Sequence, residues 1–234
     1  IGVITDGRLR TYDFIPVIDC WRTNIPAIEV KSIGAGGGSI AWVNKLMGRT
    51  LEVGPQSAGS MHGPACYDQG GEHPTVSDAN LVLGYLNPDG LVGGRLPLNA
   101  DKARAAIKKQ VAEPLGISPE KAAYGMYTIV NSNMVNGIRR VSVERGYDPR
   151  DFVLVGAGGA TAAHITAIAE EMGINTILLP KLASGLCAYG QIISDVKYNY
   201  MATAPLRLDN KDAYARINSL YKEIEKQGRE HLQA

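Results

Sequence analysis

No run in this 234-residue sequence approaches the ~18 consecutive apolar residues of a membrane-crossing helix. An excess of one charge is missing too. Against 24 Lys+Arg stand 23 Asp+Glu, with no Lys/Arg-rich run, so the electrostatic footprint of a nucleic-acid binder or a membrane-surface protein is absent. Neither nucleic acid nor membrane is expected as a partner. Cysteine is scarce: Cys20, Cys66 and Cys187 are widely spaced and contain no CxxC, which reads as a reducing, cytoplasmic setting and not a disulfide framework. No Ser-His-Asp or Cys-His arrangement marks a covalent nucleophile, so catalytic residues stay unassigned. Internal repeats and low-complexity linkers are also lacking. The start at Ile1, without Met, a basic n-region or an apolar h-region, gives the expectation of no export signal and of a fragment or processed chain.

Glycine, by contrast, is abundant, with 27 residues in 234 against an ordinary share of ~7%. The 45% hydrophobic and 20% charged content is that of a soluble globular chain long enough to bury a sizeable core. Three stretches follow from the texture. Residues 1–98 read as strands and glycine-rich loops: a hairpin turning at Asp6-Gly7 and continuing through Leu9 to Ile18, and a strand over Ile28–Ile33 that runs into Gly34-Ala-Gly-Gly-Gly38-Ser39. Over 54–94, glycine and proline are dense enough that little regular structure is expected.

Residues 99–204 read as helices plus a β-α-β unit. Asp101 can cap a helix carrying Ala103, Ile107 and Val111 on one side. Ser118-Pro119-Glu120 is a strong helix start, with a run to Arg145 closed by Gly146. One stripe of that helix is apolar (Ala122, Met126, Ile129, Val130, Ile138, Val141). The other carries Asn131, Asn133, Asn136, Arg139, Arg140 and Glu144. Next come a strand at Phe152–Val155, a Gly156-Ala-Gly158-Gly159 turn, a helix from Ala160 to Met172 with Ile165, Ile168, Ala169 and Met172 on one face, and a strand at Thr176–Leu179. That order argues for an α/β sheet with a parallel pair. A glycine-spaced helix at Gly185–Ile193 and a strand at Val196–Thr203 complete the stretch. Residues 205–234 hold a C-terminal amphipathic helix with Ile217, Leu220, Tyr221 and Ile224 on its apolar side.

Four groups of residues could carry chemistry. Gly156, Gly158, Gly159 and Ala160 lie between a strand and a helix, where backbone can approach a ligand and helix N–H groups can meet an anion. The third glycine of a dinucleotide fingerprint is absent, since Thr161 follows, so contact with the base and ribose of a mononucleotide fits better; a turn whose glycines serve packing alone is the alternative. His164, one turn further, lies where a ligand phosphate or sugar could sit, or is a satisfied helix histidine. Gly34, Gly36, Gly37, Gly38 and Ser39 could form a nest of N–H groups around a phosphate or substrate anion, or a flexible turn; no Walker A Lys follows. His62, His73 and Asp78 are weak metal candidates whose spacing, with Cys66, matches no standard zinc pattern. The Arg139/Arg140 pair could reach an anionic ligand, although Arg140 pairing with Glu144 at i,i+4 would also account for it.

Five blocks in order, Ser32–Ala41, Val53–Gly59, Gly63–Tyr67, Pro74–Gly84 and Ile138–Arg150, closely resemble the hydantoinase A/oxoprolinase family, whose relatives include subunits of acetone and acetophenone carboxylases. The resemblance covers residues 1 to about 203. It implies an α/β, actin-like ATPase fold with RNase H-like domains, in which Leu154–Gly159 looks like the adenosine-contacting loop and Gly185–Ile193 like a hinge-packing helix. It also implies ATP and Mg²⁺ (or Mn²⁺) as cofactors, a small-molecule substrate, a hydantoinase B-type partner subunit and a hetero-oligomer. The implied chemistry is phosphoryl transfer to an oxygen of a cyclic amide, or of a ketone enolate and bicarbonate, which rests on positioning more than on a nucleophile.

Two departures from the family stand out. Where members carry Gly-Gly-Ala-Gly-Pro-Leu-His-Ala, this chain has Gly158-Gly-Ala-Thr-Ala-Ala-His-Ile165, keeping His164. The family's phosphate-binding motifs would lie before Ile1, so the chain alone is expected to be inactive. Leu186–Gln191 looks more like the ketone carboxylase branch than the cyclic-amide hydrolases. A non-catalytic module that docks the partner subunit is the competing reading of another class.

Overall fold

The computed structural model describes residues 1–11, 17–18, 20–22, 27–46, 48–196, 198, 200–209 and 212–233. Strands β1 (Ile4–Thr5) and β2 (Arg8–Leu9) pair antiparallel across Asp6-Gly7, both at positive φ (51° and 68°), as a tight hairpin turn requires. The rest of the expected hairpin toward Ile18 includes residues 12–16, which lie outside the described residues. A second short pair, β3 (Val17–Ile18) and β4 (Trp21–Arg22), follows. Ile28–Ile33, expected as a strand, forms only a single bridge to Thr11, with reciprocal Ile1–Lys31 backbone bonds. Glu29, bonded to Arg10 and Arg145, supplies side-chain anchorage where the ladder is missing.

The first real sheet is β5 (Ser39–Asn44) against β6 (Thr50–Ser57), antiparallel with Ala41 opposite Val53 and Val43 opposite Leu51. Those four small and branched residues share one face, and that face meets the main core. Helix α1 (Val76–Val82) lies directly behind it, inside the stretch expected to hold little structure. A signal for it is present in the sequence: Thr75-Val-Ser-Asp78 ahead of an apolar run is a capping box, and the structure forms both of its bonds. Only Val82 of its seven residues falls outside the buried class.

Helix α2 (Ala100–Ile107) is capped by Asn99, not Asp101, because the Asn99 side chain accepts from the Lys102 N–H and leaves Asp101 in the first turn. Ala103, Ile107 and Val111 are fully buried as their spacing predicts. The chain continues through a π-helical segment at Lys108–Ala112 into α3 (Glu113–Leu115), and Gly116 at φ 67° ends it. Pro114 has no N–H to offer a regular ladder, which accounts for irregularity next to it. Helix α4 (Pro119–Val141) starts on the Ser118 cap as expected but stops four residues before Arg145. There the Ser142 hydroxyl bonds back to the Ile138 carbonyl, the chain tightens into a 3₁₀ turn at Val143–Arg145, and Gly146 reverses it at φ 81°.

Strands β7 (Val153–Val155) and β8 (Thr176–Leu178) are parallel, joined through α5 (Ile165–Met172), so the β-α-β unit is present. Its α-helix begins at Ile165 instead of Ala160. The intervening residues form a 3₁₀ turn, because Thr161 Oγ1 donates to the Ala157 carbonyl at 2.6 Å and holds the chain in the turn. Ile165, Ile168, Ala169 and Met172 are the four buried residues of α5, matching the periodicity. Helix α6 (Leu186–Ile193) follows and buries none of its residues. No strand occurs over 196–203 among the described residues; Lys197 and Asn199 lie outside them.

The chain divides into two compact units, Ile1–Cys187 and Ala188–Ala234. In the first, one core cluster unites β5, β6, α1, α2 and α4 through Ala41, Val53, Ala79, Ile107, Met126 and Val130, so the change of texture near residue 98 falls inside a single core. A second cluster joins Val135 of α4 to Ile168, Ala169 and Met172 of α5. The second unit holds α7 (Ala213–Gln233), with Ile217, Leu220 and Ile224 half-buried, Tyr221 exposed, and a 2.6 Å contact between Tyr200 Oη and His231 Nδ1. The molecule is a mixed α/β chain.

Asp78 concentrates the energetics of α1. Its carboxylate is fully buried and accepts from the Cys66 N–H, the Thr75 N–H and the Thr75 hydroxyl, each at 2.7 Å. Removing it orphans two buried backbone donors. Asp78→Ala should therefore lower unfolding free energy by about 3 kcal/mol in a denaturant titration. Asp78→Asn, which keeps one carbonyl acceptor for the Thr75 pair, should lose less. A loss under about 1 kcal/mol for Ala would show that the carboxylate is not what holds this turn.

Candidate functional site

The two glycine loops, about 120 residues apart in sequence, meet at one end of α1. The Gly37 carbonyl accepts from the Ser77 N–H at 2.8 Å. A Cβ added at Gly37 would sit 2.8 Å from Ser77 Oγ and 3.5 Å from Ala160 Cβ. Gly37 therefore touches the first turn of α1 on one side and the Gly156–Ala160 turn on the other, and a side chain there would force the Ser77 hydroxyl to move.

Within each loop the glycines do different work. None of Gly34, Gly36, Gly37 or Gly38 has a φ in the left-handed range, so the alternation that builds a backbone nest is not formed. Ser39 is buried, with its hydroxyl accepting from the Gly36 N–H at 3.0 Å, so it stabilises the loop from within and does not stand out as an extra donor. In the second loop a side chain on Gly156 would strike Leu179 Cδ2 at 2.6 Å and Ile165 Cδ1 at 2.7 Å; this glycine serves packing. Gly158 needs its φ of 105°, and its N–H donates to the Ala183 carbonyl at 2.7 Å. Gly159 differs from both: it is exposed, and a Cβ there meets nothing within 4 Å. Among the described residues the exposed amides of Gly159 and Ala160 donate to no other group, so these two are the open backbone of the turn.

His164 does not line that opening. It is 1% exposed, and its Nδ1 lies 2.7 Å from Asn131 Oδ1 while Nε2 lies 2.9 Å from Asn80 Nδ2. A carboxamide oxygen only accepts, so Nδ1 carries the proton and Nε2 accepts from Asn80: the ring is neutral and fixed as one tautomer. Tyr127 stacks on it with centroids 5.2 Å apart, and the Tyr127 hydroxyl donates to the Ala163 carbonyl at 3.1 Å. Through these contacts α1 and α4 clamp the 3₁₀ turn that follows Gly159. His164 and its neighbours are positioning residues for the glycine turn. Asn80 and Asn131 are the parts that spacing alone misses or misplaces: Asn80 carries no motif, and Asn131 sits on the buried side of α4 although its position groups it with the polar stripe. Asn80 Oδ1 is buried without a partner, a cost the triad carries to orient the ring.

The weak metal candidates stay apart in function. His62 Nδ1 lies 3.4 Å from the Gln69 carbonyl, His73 Nδ1 lies 3.1 Å from Gln110 Oε1, and Asp78 is occupied by Thr75 and Cys66. No cluster of three or more His, Cys, Asp or Glu side chains suited to a metal exists among the described residues. They do not fit a Mg²⁺ or Mn²⁺ site. The open Gly159-Ala160 backbone does fit approach by a nucleoside.

Burial holds the His164 pKa below its ordinary value. The sign follows directly. Below about pH 6.5 the unfolded chain takes up a proton that the folded ring refuses, so stability should be full above that pH and fall beneath it, by up to ~1.4 kcal/mol per pH unit until the folded pKa is reached. Urea denaturation at pH 7.5 and 5.5 should show this loss in the wild type and a reduced one in His164→Gln. Parallel profiles for the two would rule out His164 as the source.

Set beside known proteins, residues 1–200 match the family model described as hydantoinase/oxoprolinase. The chain is 51% identical over 213 residues to the caprolactamase subunit alpha of Pseudomonas jessenii, covering 91% of this chain and 30% of that protein. It is 46% identical over 200 residues to the acetophenone carboxylase gamma subunit of Aromatoleum aromaticum, covering 86% and 27%. A solved structure of nucleotide-free acetone carboxylase, from work on the mechanism of ATP-dependent acetone carboxylation, superposes with a TM-score of 0.82 at 32% identity, covering 98% of this chain and 33% of that one. The chain thus spans about a third of the length of the relatives it matches. By the match over most of its length and by these identities, it belongs to the hydantoinase/oxoprolinase family.

Proposed function

We propose that this chain is the adenosine-binding part of an ATP-dependent enzyme subunit that activates a carbonyl oxygen of a small molecule by phosphoryl transfer. The observation that carries the proposal is the open turn at Gly159-Ala160. It is exposed, free of side-chain neighbours, pinned from behind by Tyr127 and His164, and flanked by Gly37 of the other glycine loop. Such a surface lets a flat base and ribose approach backbone without displacing anything. When bound, ATP would supply the transferable phosphoryl group; this chain's residues would orient the nucleoside and keep the turn rigid. An actin-like ATPase architecture is the fold in which such a β-α-β turn would serve this purpose.

The 51% identity to the caprolactamase subunit supports a cyclic amide as substrate. The 46% identity to the acetophenone carboxylase subunit and the TM-score of 0.82 to acetone carboxylase support the second reading, carboxylation of a ketone. Both kinds of relative are named as subunits, which supports a hetero-oligomer; the partner in this proposal is a hydantoinase B-type subunit. Turnover of ATP by the assembled enzyme, with lactams in one arm and ketones plus bicarbonate in the other, discriminates between the two.

The binding role has a direct test. Calorimetric titration of ATP with Mg²⁺ into the full-length protein should show saturable binding that weakens at least tenfold in Gly159→Val, with little change in the unfolding midpoint because the exposed position leaves a Cβ free of protein atoms within 4 Å. Gly156→Val is the contrasting case and should unfold the unit. Equal nucleotide affinity in wild type and Gly159→Val, or no binding in either, would overturn the reading and favour a non-catalytic docking module.

A further inference from the structure

The polar stripe of α4 lines a cleft that does not include the Gly159 turn. Asn133, Asn136 and Arg140 recur at three- and four-residue spacing and therefore share one face of the helix. They line a cleft of about 440 Å³ whose opposite wall is Ser32 and the backbone of Gly34 and Gly54-Pro55. The walls stand close for a reason written in the glycines. A Cβ at Gly137 would lie 2.8 Å from Ile1 Cδ1 and 3.0 Å from Ile33 Cδ1, and one at Gly54 would lie 2.7 Å from the Gly34 carbonyl oxygen. A larger residue at Gly137 would press on Ile1 and Ile33, and one at Gly54 would displace Gly34 within the wall the two share.

Its charge is unbalanced. Arg139 pairs with Glu171 at 3.6 Å and Arg145 pairs with Glu29, but among the described residues Arg140 has no acidic or hydrogen-bonding partner. The expected Arg140–Glu144 pair does not form because α4 ends at Val141, which takes Glu144 off the helical register. No carboxylate lines the cleft. Ser32, Asn133 and Asn136 likewise carry side chains with no protein partner among the described residues. A guanidinium fork, two carboxamides and a hydroxyl facing one space are a donor-rich set that matches an oxyanion.

We propose that this cleft binds a small organic acid, with its carboxylate on Arg140 and Asn136 and its carbon body against Ile33, Val53 and Pro55. The apolar wall is what favours an organic carboxylate over inorganic phosphate, and the volume lies in the range of small-molecule sites. Gly34 lines this cleft while Gly37, three residues on, touches the Gly159 turn, so no more than about 11 Å of chain separates the two sites. The inference does not depend on nucleotide binding at Gly159.

The test is calorimetric titration of sodium butyrate, sodium acetate and sodium phosphate into the full-length protein at constant ionic strength, with sodium chloride as the blank. Butyrate should bind saturably and more tightly than acetate, and Arg140→Gln should weaken it at least tenfold. Asn136→Asp, an isosteric change at an exposed position that brings a negative charge to the rim, should weaken it at least fivefold while leaving the thermal unfolding midpoint in place. Tighter binding of phosphate than of either carboxylate, a heat no different from chloride, or equal butyrate affinity in wild type and both variants would each overturn the proposal. Failure of ATP binding in Gly159→Val with butyrate binding intact would bear on the nucleotide site alone.

Discussion

A helix buried on nearly all sides cannot leave its polar groups to water, and that constraint organises this molecule. Helix α1 has one residue of seven outside the buried class, yet it carries Ser77, Asp78 and Asn80. Its polar groups reach different parts of the chain, except Asn80 Oδ1, which has no partner among the described residues. Asp78 gathers Cys66 and Thr75, the Ser77 amide takes the Gly37 carbonyl, and Asn80 takes His164. An unmatched polar atom in such a place costs about 1–3 kcal/mol. The two glycine loops and the α4–α5 contact are consequently fixed relative to one another by hydrogen bonds that cannot be exchanged for solvent.

From this follows a division of labour among the glycines. Gly37 and Gly156 are small because something else occupies their side-chain space, Gly158 because of its backbone angle, and Gly159 for neither reason. Gly159 combines open space, ordinary backbone and an exposed surface, so the fold does not explain its identity, and its place in the strand–helix turn is why the proposed nucleoside contact is put there. Thr161 acts as a staple through its hydroxyl, which donates to the Ala157 carbonyl and holds the turn. The Arg140 cleft is a related case: its guanidinium is exposed and has no protein partner among the described residues, which leaves it available to a ligand.

Much of this is legible along the chain. The capping signal at Ser118-Pro119-Glu120, the apolar spacing of α5 and the strand–turn–helix–strand order around Gly156 act within a few residues of one another, so local physics sets them. The capping box at Thr75 is equally local but is obscured by the glycine and proline around it. Contacts between distant residues are not legible: nothing in the spacing of His164 reveals that Asn80 and Asn131, 84 and 33 positions away, enclose it.

The sequence by itself determined the family, the β-α-β unit and the start of α4, because each rests on motifs or caps that are satisfied by near neighbours. Tertiary structure alone decided that Asn131 would join the buried side of α4, that Ser39 would turn inward, that Asp78 would hold a turn, and that Arg140 would face a cleft with no partner among the described residues. Those outcomes depend on which elements pack together and on where a helix stops. The energies that settle them, burial of polar groups and exclusion of side chains at close backbone contacts, exist only once the chain has folded.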